Sequence, residues 1–411
     1  MRVKKKELQC TLTSAEDIVL TCELWSSRSE DSYLTVGCHF VDNLGSLKSY
    51  ILKTTSLFGD ESMPNILNQL LAITETWNVT DKVHSVVTAG MPQLKGNKTR
   101  WTHMPCFSDV LNAVFKDVMN NAELSYILNK CCNIIQFFKY DSEAEKKLTE
   151  LQGKLQGKLQ ANQEELIMCC RDRWLTWLDM LQRLDKQYRF MVMVLNERGQ
   201  TDLILNENEK KKIKNFISAL EPLKKAISTM KGKGFETISV MVPVMMKLMD
   251  ALGQEAKRKN DVAKMLLSKY KHEFGDVNNH KLATVTFLDP RYKKQLTDDN
   301  NRLAINKVMT ELSAGIAYST DRLKVQLDKY KAYPPNAEQS NPLAWWRHTG
   351  KEKFFELSKL AVKKLGVVST AVPLERAFSR DGDQFCNLRS SIKPEHLNMV
   401  LFLNSNWAIQ S

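Results

Sequence analysis

Long apolar runs are missing from this chain: nowhere do about 18 uninterrupted apolar residues suggest a membrane-spanning helix. Arg2, Lys4, Lys5 and Lys6 lead into no apolar segment long enough for a signal peptide, so a soluble, intracellular protein without a membrane partner is expected. Close CxxC and HxxxH pairs are also absent among nine cysteines and seven histidines, which leaves little from which to build a structural zinc site. Nine is an odd number, and the adjacent pairs Cys131-Cys132 and Cys169-Cys170 fall in helical-looking stretches. That is a poor disulfide framework, and reduced thiols are expected. Compositional bias is lacking too, since 43% apolar and 26% charged residues describe a globular chain. Acidic residues are in deficit, 47 against 59 Lys and Arg, and the resulting net charge of +12 favours a polyanionic partner. A run such as Lys210-Lys211-Lys212 is more often a solvated helix face than a phosphate contact. At 411 residues the chain exceeds one ordinary core, and two or three domains are expected.

What is present changes texture along the chain. From Asp17 to Leu57, short β-branched and aromatic runs with a turn at Asn43 and Gly45 predict three neighbouring strands in a meander. Pro64 opens a helix that ends near Trp77. A buried strand follows over Val83 to Val87, with a short strand near Trp101 to Met104 and a helical face from Phe107 to Phe115. Leu124 to Tyr333 reads as helical, with a long charged helix over Glu143 to Met168, weakened by the glycines of LQGKLQGKLQ, and an apolar helix over Trp174 to Val194. Met241, Met245, Met246 and Met249 recur at helical spacing and are expected to be core. Pro334, Pro335 and the polar residues up to Asn341 suggest a linker. Beyond it, three amphipathic helices are expected, the second opened by Pro373 and ended by Gly382, the third opened by Pro394. The expected fold is α/β plus all-α, segmented at residues 8–120, 121–335 and 336–411.

Several blocks together resemble the hAT superfamily of DNA transposases. They are ELWSS from Glu23 followed by SYLTVGCHFVD; HSVVTAGMPQL; CFSDVLN from Cys106; DRWLTWLDMLQRL from Asp172; LATVTFLDPRYK from Leu282; and a C-terminal series containing WW, ERAFS, LRSSIKPE and LNMVLFLN. The resemblance implies a ribonuclease-H-like core interrupted by a long helical insertion and closed by C-terminal helices that support dimerisation. It implies relatedness to BED-finger proteins and a nuclear location. Nothing before Glu7 could hold the zinc ligands of a BED finger.

The family's chemistry is strand transfer by two divalent metals held between three carboxylates, which places strict demands on each ligand. The resemblance puts the first at Glu23, where the family has Asp; the second at Ala89, which has no side-chain oxygen; and the third at Glu375, followed by Arg376, Phe378 and Ser379. An inactive chain without metal or other cofactor and without a small-molecule substrate is therefore expected. Asp109, in the block where the family has a His, is a candidate to supply an oxygen nearby. Arg173 and Trp174 match a pair that handles the DNA end in active relatives, although a core-packed Trp174 reads equally well. Candidate homodimer contacts are Trp345, Trp346, Phe354, Leu357, Leu360, Phe378, Leu397, Val400 and Leu401, with packing inside one chain the competing reading. The expected function is dimerisation with DNA or chromatin association in transcription regulation. An active transposase using an unrecognised acid, and a decayed fragment, stay open as alternatives.

Overall fold

The computed structural model describes residues 2–26, 31–91, 100–156, 165–169, 174–231, 237–274, 280–315, 320–337, 340–371 and 394–407. They form two compact units. The first comprises Met1–Asp109, Thr229–Met245 and Asp276–Ser411; the second comprises Val110–Ser228 and Met246–Gly275.

The first unit is built on a five-stranded mixed sheet: β1 (Ile18–Ser26), β2 (Ser32–Val41), β3 (Leu47–Ser56), β4 (Val83–Ala89) and β5 (Thr102–Pro105), in the order β3-β2-β1-β4-β5. The expected meander is there, because β2 runs antiparallel to both β1 and β3. β4 pairs parallel with β1, and β5 parallel with β4. A parallel neighbour requires a crossover, and helix Met63–Thr76, with Pro64 in its first turn as expected, supplies it. One sheet face packs on this helix through Ile66, Leu70 and Ile73.

The turn between β2 and β3 depends on Gly45, whose φ is +78°; a Cβ there would lie 2.4 Å from the Cα of Ala344. Asn341 donates from Nδ2 to the Gly45 carbonyl at 3.2 Å and caps the helical turn Pro342–Trp345. The proline-rich connection is therefore fastened on both sides: the Asn336 amide donates to the Pro290 carbonyl at 3.0 Å.

An open sheet edge at β3 would expose unpaired main-chain groups. The C-terminal helix Pro394–Trp407 covers it. Asn406 accepts the Ile51 N–H at 3.1 Å and donates to the Ile51 carbonyl at 2.9 Å, so its amide imitates a neighbouring strand. Asn398 accepts the Thr54 N–H at 2.9 Å in the same way.

Beside the sheet, a buried polar network ties three distant segments. Asp289 is fully buried and accepts from Arg291 Nη2 at 2.7 Å and from Ser239 Oγ at 2.6 Å. Ser239 lies within hydrogen-bond reach of Thr237 Oγ1, while the Ile238 N–H donates to the Val367 carbonyl at 2.8 Å. Next to it, Lys293 Nζ donates to the Tyr330 carbonyl at 2.5 Å and lies 4.2 Å from the centre of the Tyr330 ring. Burial, helped by Lys294, lowers this ammonium to about 8.

The second unit is helical, with Ala122–Tyr140, Ser142–Gln156, Trp174–Glu197 and Glu207–Lys231 as its longer members. The long helix expected over Glu143 to Met168 is corrected at its far end: the described helix is Ser142–Gln156, continuing through Gly153, residues 157–164 lie outside the described residues, and residues 165–169 are irregular although their apolar spacing looks helical. Lys210 and Lys212 pair with Glu207 and Glu123, in keeping with a solvated face. Met241 and Met245 are core as expected, whereas Met246 is exposed. Among the described residues, no helix is long and apolar enough to cross a membrane. The helix Arg2–Thr13, which burying Leu8 and Leu12 docks on the sheet core, was not expected from the sequence.

Candidate functional site

Two of the three positions assigned to carboxylates meet at the C-terminal ends of β1 and β4. In the parallel register of these strands, Glu23 is the direct partner of Ala89. Glu23 is half-buried and faces Thr35 across the antiparallel pairing to β2. The side chain opposite the acid is thus a methyl group, which cannot coordinate a cation.

The chain then turns sharply at Gly90, with φ at +70°, and a Cβ there would press on the Leu24 carbonyl oxygen at 2.6 Å. Asp109 stands in the first turn of helix Phe107–Met119, and its Oδ2 accepts the Gly90 N–H at 2.7 Å. The candidate compensating acid therefore holds the end of β4. Thr88 Oγ1 and His103 Nε2 make a neighbouring contact at 2.5 Å. Gly90→Ala is expected to destabilise the chain, by about 1–3 kcal/mol, because it combines a left-handed φ with a main-chain clash beside the Asp109 bond; thermal melting measures it.

The C-terminal segment comes back to this place. The Cys106 N–H donates to the Thr88 carbonyl at 2.8 Å, the Phe107 N–H to the Ser369 carbonyl at 3.0 Å, and the Ala371 N–H to Cys106 Sγ at 3.4 Å. Glu375 and Phe378 lie outside the described residues, as does the helix expected from Pro373. Among the described residues, no group of three or more His, Cys, Asp and Glu could hold a metal ion.

At the other end of the sheet, a pocket of about 300 Å³ is lined in part by Asp17, His39, His84, Arg347, Lys359 and Lys363. Lys363 pairs with Asp17 at 2.7 Å. His39 is fully buried between Thr21 Oγ1 at 3.0 Å and Ser49 Oγ at 2.8 Å, and burial pushes its imidazole down to about 3. The native state then holds this site neutral where the unfolded chain, with an ordinary value near 6.5, takes up a proton. Stability is expected to fall as pH drops from about 6.5 toward 3, and the slope should flatten in His39→Gln; urea titrations across that range measure both.

The candidate dimer residues divide by exposure. Trp346, Phe354, Leu357, Leu397 and Leu401 are buried within the chain itself. Trp346 Nε1 donates to the Leu288 carbonyl at 2.8 Å, and its ring lies 5.0 Å from Tyr330 and 4.8 Å from Trp345. Leu397 and Leu401 pack with Trp25, Tyr33 and Ile51. Trp345, Leu360 and Val400 are half-buried, and Phe355 and Met399 are exposed. Arg173 lies outside the described residues, and Trp174 opens the helix Trp174–Glu197.

With this geometry in hand, comparison with known families gives three matches in chain order. Residues 21–95 match the ZBED1 RNase-like domain, 104–219 the ZBED1 RNase-like helical domain, and 326–407 the hAT family C-terminal dimerisation region. The C-terminal region is thus similar to that of the hAT family. The first match ends just past the Ala89–Gly90 turn, and the last contains all the described candidate dimer residues. Zinc finger BED domain-containing protein 4 of Homo sapiens is 22% identical over 458 residues, an alignment covering 98% of this chain. This chain spans 38% of that relative's length.

Sequence reasoning missed Asn398 and Asn406. Both sit within LNMVLFLNSN, where asparagine on an otherwise apolar helix was the available signal, but their partners on β3 are more than 340 positions away.

Proposed function

We propose that this chain is a catalytically inactive, transposase-derived protein that works as a homodimer and associates with DNA or chromatin in the nucleus, in transcription regulation. The observation that carries the reading is the register of Glu23 against Ala89. Two-metal strand transfer needs carboxylates that share the ions, and a methyl group at the second position leaves the charge of the transferring phosphoryl group without its counter-ions. The bond from the Gly90 N–H to Asp109 Oδ2 supports a structural role for that acid, holding the end of β4.

The sheet order supports a ribonuclease-H-like reading of the first unit: an antiparallel meander, two parallel strands, and a C-terminal segment that returns to the sheet. The helical second unit is then the body of the insertion, made of Val110–Ser228 and Met246–Gly275.

For the dimer, the half-buried and exposed residues are the better contacts, since side chains already covered in one chain add little area to an interface. We assign this role to Trp345, Leu360 and Val400, joined by Phe355 and Met399. The net charge of +12 supports the nucleic-acid part. Sedimentation equilibrium of the whole chain is expected to give a dimer that weakens at least tenfold in Leu360→Lys. Titration with duplex DNA at two salt concentrations is expected to show affinity falling with salt. A monomer at all concentrations removes the dimer, and absence of salt-dependent binding removes the DNA part.

A further inference from the structure

The adjacent cysteine pairs have no part in the proposed function, yet the second unit brings one member of each together. Cys132, on helix Ala122–Tyr140, places its Sγ 3.4 Å from Sγ of Cys169, and 4.0 Å from Sδ of Met180. We propose that Cys132 and Cys169 form a peroxide-sensitive modification site that closes to an intramolecular disulfide.

Three observations carry this. The sulfurs are at van der Waals contact, so closing to the roughly 2.05 Å of a bond needs a shift of about 1.4 Å. That shift is available at Cys169, because residues 165–169 are irregular and are not held in a helical ladder. Both thiols are partly accessible, whereas Cys131, Cys22, Cys38 and Cys106 are buried. Burial raises Cys131 to about 12 and pushes Cys22 and Cys38 up as well, so these three stay protonated and unreactive.

The reaction balances with hydrogen peroxide as oxidant. One thiolate attacks a peroxide oxygen, giving a sulfenic acid and, after protonation, water. The second thiolate then attacks the sulfenyl sulfur: the S–S bond forms, the S–O bond breaks, and the leaving hydroxide takes a proton as a second water. Two thiols lose two electrons in total. The crosslink fastens the irregular segment to helix Ala122–Tyr140, just ahead of helix Trp174–Glu197.

The test exposes the whole reduced chain to graded hydrogen peroxide, then alkylates it and maps its peptides by mass spectrometry. The expected result is the joint loss of two alkylatable thiols and a linked peptide joining Cys132 to Cys169, reversed by dithiothreitol. In Cys169→Ser, Cys132 should instead accumulate a sulfenic acid that dimedone traps. Sulfinic or sulfonic acid at Cys132 with no linked peptide, linkage of Cys132 to any other cysteine, or undiminished crosslinking of Cys132 in Cys169→Ser would each overturn the assignment. The wild-type peptide map decides the matter even if the variant does not fold.

Discussion

Asp289→Ala is expected to destabilise the chain by about 3–5 kcal/mol, the cost of leaving a buried charge without its partner. Arg291 is 6% exposed, and its guanidinium and main-chain N–H both bond to the Asp289 carboxylate, so no rotation to solvent relieves the loss. Ser239 loses its acceptor at the same time, next to the main-chain bridge between Thr237 and Val368. Denaturant unfolding of wild type and variant measures the difference. Removing the charge together with its partner gives a sharper comparison. Asp289→Leu combined with Arg291→Met should recover much of the loss, because the desolvation of both ions disappears along with their attraction. A double variant as unstable as the single one would show that the surrounding hydrogen bonds, rather than the unpaired charge, dominate.

Asn406→Leu is expected to be the next most damaging change. Asn406 is 5% exposed and satisfies both main-chain groups of Ile51, and an orphaned buried donor or acceptor costs about 1–3 kcal/mol each. Asn406→Asp is a near-isosteric control: it keeps the acceptor for the Ile51 N–H and sets a carboxylate oxygen against the Ile51 carbonyl, so it should destabilise as well. Asn398→Ala removes one bond at a half-buried position and should cost less. Loss of the cover on β3 also leaves a bare strand edge, and both Asn406 variants are expected to aggregate on warming at lower temperature than wild type. Light scattering during a thermal ramp reports this.

The contrast between these residues and those legible in the sequence is one of range. The strands from Ile18 to Ser56 could be read locally, because β-branched and aromatic runs are separated by an Asn43-Gly45 turn whose chemistry is local too. The helix opened by Pro64 and the strand from Val83 are legible for the same reason. The helix Arg2–Thr13 is not, since only Leu8 and Leu12 of its twelve residues are buried and the lysines around them mask the period. The overrun to Met168 has the opposite cause: apolar spacing continues through residues 165–168, which are not helical. The partnership of Asp289 with Ser239, and of Asn406 with Ile51, depends on segments brought together only by folding.

The candidate site was legible in a different manner. The residue pattern reads strands close to Glu23 and Ala89 but is silent on which strands are neighbours; only the resemblance to hAT transposases set both positions at strand ends and paired them. The register of β1 and β4 makes them direct partners. The role of Asp109 was half legible: its proximity was expected, its bond to the Gly90 N–H was not.

A strand-cleavage and strand-transfer assay tests the central claim most directly. The whole chain is incubated with a hairpin-end DNA substrate and Mn²⁺ or Mg²⁺, beside Glu23→Gln. The account predicts no metal-dependent product from either protein. Metal-dependent cleavage by the unaltered chain that disappears in Glu23→Gln would contradict it, and would mean that another oxygen donor stands in for the carboxylate missing at Ala89.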